Sequence, residues 1–139
     1  MKKSEEREHL FRLLFCEDFR EGEELGEQAD LYRELREAIP EEEFLPVKEK
    51  FNNIVNKRKE IDSKIESFSQ GWALNRIGKA ELTILRIAVY ELLFDEEVPG
   101  KVAINEAVEL AKKYGSDSAP SYVNGILAGV IKEKENLAK

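Results

Sequence analysis

The chain has 139 residues, 42% hydrophobic and 37% charged, a balance that fits one water-soluble domain able to bury most of its apolar surface. A net charge of −7 excludes a broadly basic coat for nucleic acid, because neutralising phosphates needs cations in excess. The lone Cys16 and lone His9 exclude an internal disulfide and leave no Cys/His set with zinc spacing.

The first helix is expected over residues 4–19, with Ser4 as its cap and Leu10, Phe11, Leu14 and Phe15 at helical spacing. Lys3 and Arg7 continue the same stripe toward the N-terminus, which predicts a first turn that overhangs the core. His9 reads as an exposed helix residue, and Cys16 as a helix residue with no cation placed to activate its thiol. Gly22 and Gly26 in an acidic stretch predict a loop, and Leu31, Leu35, Ala38 and Ile39 a short second helix stopped by Pro40.

Phe44, Val47, Phe51, Ile54, Arg58, Ile61, Ile65 and Phe68 alternate three and four apart, and only Arg58 breaks the seam. One continuous helix over 44–68 would be roughly 37 Å long, a rod able to serve two bundles, and Gly71 ends it. Residues 79–94 are apolar nearly all round, the pattern of a central helix enclosed by neighbours. The apolar run at 82–94 is broken by Thr83, Arg86 and Glu91 and falls short of the roughly 18 residues of a membrane span. Residues 95–100 with Pro99 predict a turn. Residues 103–114 predict an amphipathic helix closed by Gly115, and Tyr122, Val123, Ile126, Leu127, Val130 and Ile131 line the last helix.

The expected fold is therefore all-α: two packed three-helix bundles, about six to seven helices, sharing the long third helix, with subdomains of about 1–70 and 71–139. Arg86 inside the apolar helix needs an ion-pair partner, and Glu106 is the expected one. Asn124 and Gly125 are expected to serve packing, Asn124 by satisfying a helix end and Gly125 by letting helices approach.

Catalysis has little to stand on. The chain has no phosphate loop, no dinucleotide fingerprint, no HExxH pair and no nucleophile set around its single histidine. The carboxylates at 41–43 and 95–97 sit at helix starts and turns, where the helix dipole and solubility account for them. No enzyme, cofactor or metal is expected. The opening MKKSEEREHL has lysines but no apolar segment behind them, so it does not read as a secretory signal, and the cytoplasm is the expected compartment.

The stretch LTILRIAVYELLFDEEVPGKVAINEAVELAKKYGSDSAPSYVNGIL, residues 82–127, resembles the signature half of the NusB family. Its LRxAxYEL, VPxKVxINEAVELAKxxG and aromatic-VNGxL segments are met without a gap, and REHLFRLLF and WALNRIGKAEL extend the likeness toward the N-terminus. The resemblance implies antitermination of ribosomal RNA transcription. It also implies binding of a boxA-like single-stranded RNA together with NusE, a ribosomal protein, and contact with the elongation complex through other Nus factors.

By position it assigns RNA contacts to Lys2, Lys3 and Arg7, to the aromatics Phe15, Tyr114 and Tyr122, and to Asp117 and Ser118 in a polar loop. Glu81 is assigned to the protein partner, and the acidic residues 95–97 would steer a basic one. Cations that neutralise phosphate and rings on which splayed bases stack are what single-stranded RNA recognition requires. Tyr122, between core positions Val123 and Ile126, is open to stacking or to packing, and Phe15 favours packing. Family members commonly begin with several arginines, whereas this chain has Lys2, Lys3 and Arg7 among three glutamates in its first eight residues. Lysine lacks arginine's bidentate fork, so weaker RNA binding is expected without the partner. An acidic adaptor that binds only proteins is the alternative, and a homodimer stays open.

Overall fold

The computed structural model describes residues 1–16, 24–35, 39–71 and 73–138. Every regular element among them is helical, so the fold is all-α as expected, and it divides into two compact units, Met1–Asn56 and Lys57–Lys139. No helix of the described residues is long and apolar enough to cross a membrane.

The first unit holds α1 (Lys3–Cys16), α2 (Glu24–Leu35) and α3 (Glu41–Asn56). Helix α3 packs on both others through Phe44, Val47, Phe51 and Ile54, all buried. Helix α1 contributes Leu10, Phe11, Leu13 and Leu14 to the core, and α2 contributes Ala29. Each of the large side chains is worth about 1.5–3 kcal/mol of burial. Glu41, Glu42 and Glu43 occupy the first turn of α3, where its unpaired N–H groups favour negative charge.

Several local expectations change in this unit. Helix α1 begins at Lys3, so Ser4 lies inside the first turn, and the Lys2 carbonyl accepts from Glu6 N–H at 3.0 Å. Gly26 lies within α2 instead of a loop, while Phe19, Gly22 and Ala38 lie outside the described residues. His9 is half-buried and not exposed. Its Nδ1 is 2.9 Å from the Tyr32 hydroxyl, and the Tyr32 ring stacks on Phe44 with centroids 6.0 Å apart.

The second unit holds α4 (Arg58–Phe68), a short 3-10 turn (Leu74–Arg76), α5 (Lys79–Phe94), α6 (Gly100–Tyr114) and α7 (Ala119–Leu137). Helix α5 is the enclosed one: it touches α4, α6 and α7, and Ile84, Leu85, Ile87, Ala88, Val89 and Leu92 are buried. Lys134 of α7 donates to the Leu92 carbonyl at 2.6 Å, satisfying a backbone acceptor near the end of α5. After α4 the chain reverses through Gln70 (φ 56°) and Gly71 (φ 87°), and the second lies in the left-handed region that glycine tolerates best.

The single rod expected over 44–68 is two helices. Lys57, at φ −104° and ψ 12°, separates α3 from α4, and its carbonyl accepts the Ile61 N–H at 3.0 Å. The compact units part at this point and not near residue 70, because Ile61 and Ile65 are buried in the unit where α4 packs on α5 and α7. The charged Arg58 in the seam marks the change of core.

Candidate nucleic-acid interface

In the first unit Lys2 and Lys3 are exposed at the start of α1, and Lys3 Nζ lies 3.5 Å from Glu6 Oε2, one turn along. Lys2 also lines an open cleft with Glu5, His9, Ile39 and Glu43. Arg7 differs from its expected place on an overhanging turn: it is only 6% exposed. The apolar stripe of α1 is covered as far back as this residue, and the guanidinium goes under cover with it. Phe15 is half-buried, its ring stacked on Phe11 with centroids 5.6 Å apart. Twelve residues of helix separate Lys3 from Phe15, about 18 Å along the axis, so the cations and this ring stand at opposite ends of α1.

In the second unit the other candidates gather at the turn between α6 and α7. Tyr114 ends α6, half-buried, with Lys113 Nζ 5.5 Å from its ring centroid. Asp117 and Ser118 are exposed in the turn, and Tyr122 is half-buried in the first turns of α7. Ser118 serves as the N-terminal backbone cap, its carbonyl accepting Tyr122 N–H at 3.1 Å.

Glu81, in the first turn of α5, is half-buried and already engaged. Its Oε1 accepts from the Ser116 backbone N–H at 3.1 Å and from Ser116 Oγ at 3.3 Å. The Ser116 hydroxyl lies 3.5 Å from that of Ser118. Burial, and then the Glu81 charge, push the Tyr122 hydroxyl pKa above its ordinary value of 10.0. Glu81, Ser116, Ser118 and Tyr122 thus form one cluster. Ser116 was not among the expected residues, and no sequence pattern pairs it with a residue 35 positions earlier.

Two further expectations are corrected here. Arg86 pairs with Asp62 and not Glu106: Nε to Oδ1 is 2.8 Å and Nη2 to Oδ2 is 2.9 Å, a bidentate bridge from α5 to α4. Asp62 faces α5 once α4 packs there, which the expected continuous rod did not suggest. Asn124 and Gly125 are both exposed, and a Cβ at Gly125 would meet nothing within 4 Å among the described residues. The close approach falls instead at Gly129, where a Cβ would lie 2.6 Å from Phe68 Cδ1.

The end of α6, the turn at 115–118 and the start of α7 together offer two rings, a cation at Lys113 and hydroxyls. The start of α1 offers two exposed lysines. Such groups can stack bases and neutralise phosphate.

The NusB family model matches residues 4–132. The transcription antitermination protein NusB of Lachnoclostridium phytofermentans is 53% identical over 131 residues, 94% of this chain and 99% of that protein. A solved structure of NusB from T. maritima has a TM-score of 0.83 at 30% identity, covering 100% of this chain and 99% of that one. A crystal structure of the antitermination factors NusB and NusE in complex with dsRNA has a TM-score of 0.79 at 28% identity, covering 96% and 99%. The chain belongs to the NusB family.

Proposed function

We propose that the chain is a cytoplasmic transcription antitermination factor that binds a boxA-like single-stranded RNA together with a NusE-type ribosomal protein and so supports ribosomal RNA transcription. The observation that carries the RNA and NusE part of the reading is the likeness, over 96% of this chain, to a NusB solved with NusE and dsRNA; the boxA-like single strand follows from the sequence resemblance. Lys2 and Lys3 supply phosphate contacts; Tyr114 and Tyr122 supply faces for bases; Asp117 and Ser118 supply polar edges in the turn. Arg7, withdrawn from solvent, braces α1 more than it presents a cation, and Phe15, half-buried and stacked on Phe11, supplies a lesser contact. Glu81 is the expected contact for the protein partner, and the exposed Glu96 and Glu97 steer a basic one. Other Nus factors join the assembly on the same reading.

The net charge of −7 and the burial of Arg7 favour one alternative, an adaptor that binds proteins only. Fluorescence anisotropy of a labelled boxA-like RNA, with the protein alone and with its NusE partner, separates the two. Specific binding that the partner strengthens and that Lys3→Ala or Tyr114→Ala weakens supports antitermination. Partner binding with no preference over a scrambled RNA supports the adaptor.

A further inference from the structure

Glu81 stands at the third position of α5, where a carboxylate ordinarily reaches back over its own helix start. It does so here: a Cβ at Gly78 would lie 2.2 Å from Glu81 Oε2, so the carboxylate covers the bare backbone at the helix start. The other oxygen is spent elsewhere. Glu81 Oε1 takes both the N–H and the hydroxyl of Ser116, and a Cβ at Gly115 would come within 3.1 Å of it. The same Cβ would lie 2.5 Å from Ala119 Cβ and 2.9 Å from the Ala111 carbonyl oxygen, so the chain can enter the turn closely only with no side chain there. The turn then closes on itself, with Ala119 N–H donating to the Ser116 carbonyl at 3.0 Å.

We infer that Glu81 is a positioning residue for RNA recognition, its carboxylate fixing the turn that carries Asp117 and Ser118 and leads into Tyr122. The inference rests on the RNA reading above and adds to it a residue that acts through Ser116 without touching RNA. A two-point hydrogen bond to a charged acceptor is among the stronger kinds. Held in this way, the turn loses less conformational freedom when RNA orders it, and such preorganisation appears as affinity. The Glu81 charge also lies close enough to Tyr122 to disfavour ionisation of its hydroxyl, which agrees with the same placement.

Electrostatics and geometry predict opposite outcomes. A carboxylate near a phosphate backbone repels it, so removing the charge alone would tighten binding. Removing the anchor loosens the turn and weakens binding. The test is RNA affinity of the protein without its partner at low salt, beside the amide exchange rate of Ser116, for wild type, Glu81→Ala, Glu81→Gln and Ser116→Ala. Glu81→Ala is expected to weaken RNA binding about three- to ten-fold and to speed Ser116 exchange. Glu81→Gln, which keeps an acceptor and drops the charge, is expected to recover most of both.

RNA affinity in Glu81→Ala equal to or above wild type overturns the inference, as does a loss with Ser116 exchange unchanged, or a Gln variant as weak as Ala. Should Glu81→Ala lose its helical signal, Ser116→Ala carries the test: it strips one of the two bonds, and an affinity equal to wild type then overturns the inference. Wild-type protein that binds no RNA, even with its partner added, defeats the RNA reading itself and is distinct from each of these results.

Discussion

Arg86 is the one cation inside the apolar face of α5, and its two bonds to Asp62 leave each side chain 17% exposed. Breaking a pair so placed strands the remaining charge, at a cost between that of a surface and a fully buried bridge. Arg86→Met should destabilise the protein by about 2 kcal/mol in urea unfolding, and adding Asp62→Leu should recover most of it, because an apolar pair has no stranded charge. Tyr122 yields a pH prediction. Its pKa is raised in the folded state by burial and by Glu81, so the folded protein holds the proton more tightly than the unfolded chain. The stability linked to it is complete below the unfolded value of about 10 and is lost as pH rises through the folded one. Urea midpoints measured from about pH 9 upward should therefore fall less steeply for Tyr122→Phe than for wild type.

Helix α7 meets α4 through a gap left by a missing side chain. A Cβ on Gly129 would lie 2.6 Å from Phe68 Cδ1 and 2.9 Å from Cε1, so the ring must shift to admit it. A Cβ on Gly125, one turn earlier on the same helix, would meet nothing within 4 Å among the described residues. The two positions separate packing from propensity. Gly129→Ala should cost about 1–2 kcal/mol by overpacking, whereas Gly125→Ala should add up to about 0.8 kcal/mol through helix propensity, both read from thermal or urea unfolding. Pro46 in the second turn of α3 is exposed and removes the N–H that would bond to the Glu42 carbonyl. Pro46→Ala should stabilise the protein by about 1 kcal/mol in the same assay, once the lost stiffness of the unfolded chain is offset.

Over the whole molecule, 29 acidic residues outnumber 22 basic ones, so long-range steering of RNA toward this protein is unfavourable and binding must come from local contacts. If Lys2, Lys3 and Lys113 each contact one phosphate, the slope of log affinity against log salt should be about −2, at roughly 0.7 per phosphate for a single strand. Addition of a basic partner protein should steepen it. A salt titration of RNA affinity with and without the partner reads both slopes, and a slope near zero for the pair would mean that phosphate contacts contribute nothing.

Apolar periodicity by itself determined the helical class, the enclosed α5, the amphipathic α6 and α7 and the glycine that ends α6, because each is a property of spacing within one segment. The run of residues 82–127 likewise carried the family, since its motifs are contiguous in sequence. Only the tertiary structure decided what depends on contact between segments. The seam at 44–68 looks continuous in sequence, but its two halves enter different cores and the helix breaks at Lys57. Arg86 needed a partner on either reading, and the choice of Asp62 over Glu106 followed from which face of α4 lies on α5. Arg7 was expected on a turn overhanging the core because a charge in an apolar stripe does not say whether the stripe is covered there, and burial answered that. Glu81 and Ser116 are 35 residues apart, and no periodicity links them. Spacing along a chain encodes which face of an element is apolar, but which polar atoms meet across elements is fixed only by packing.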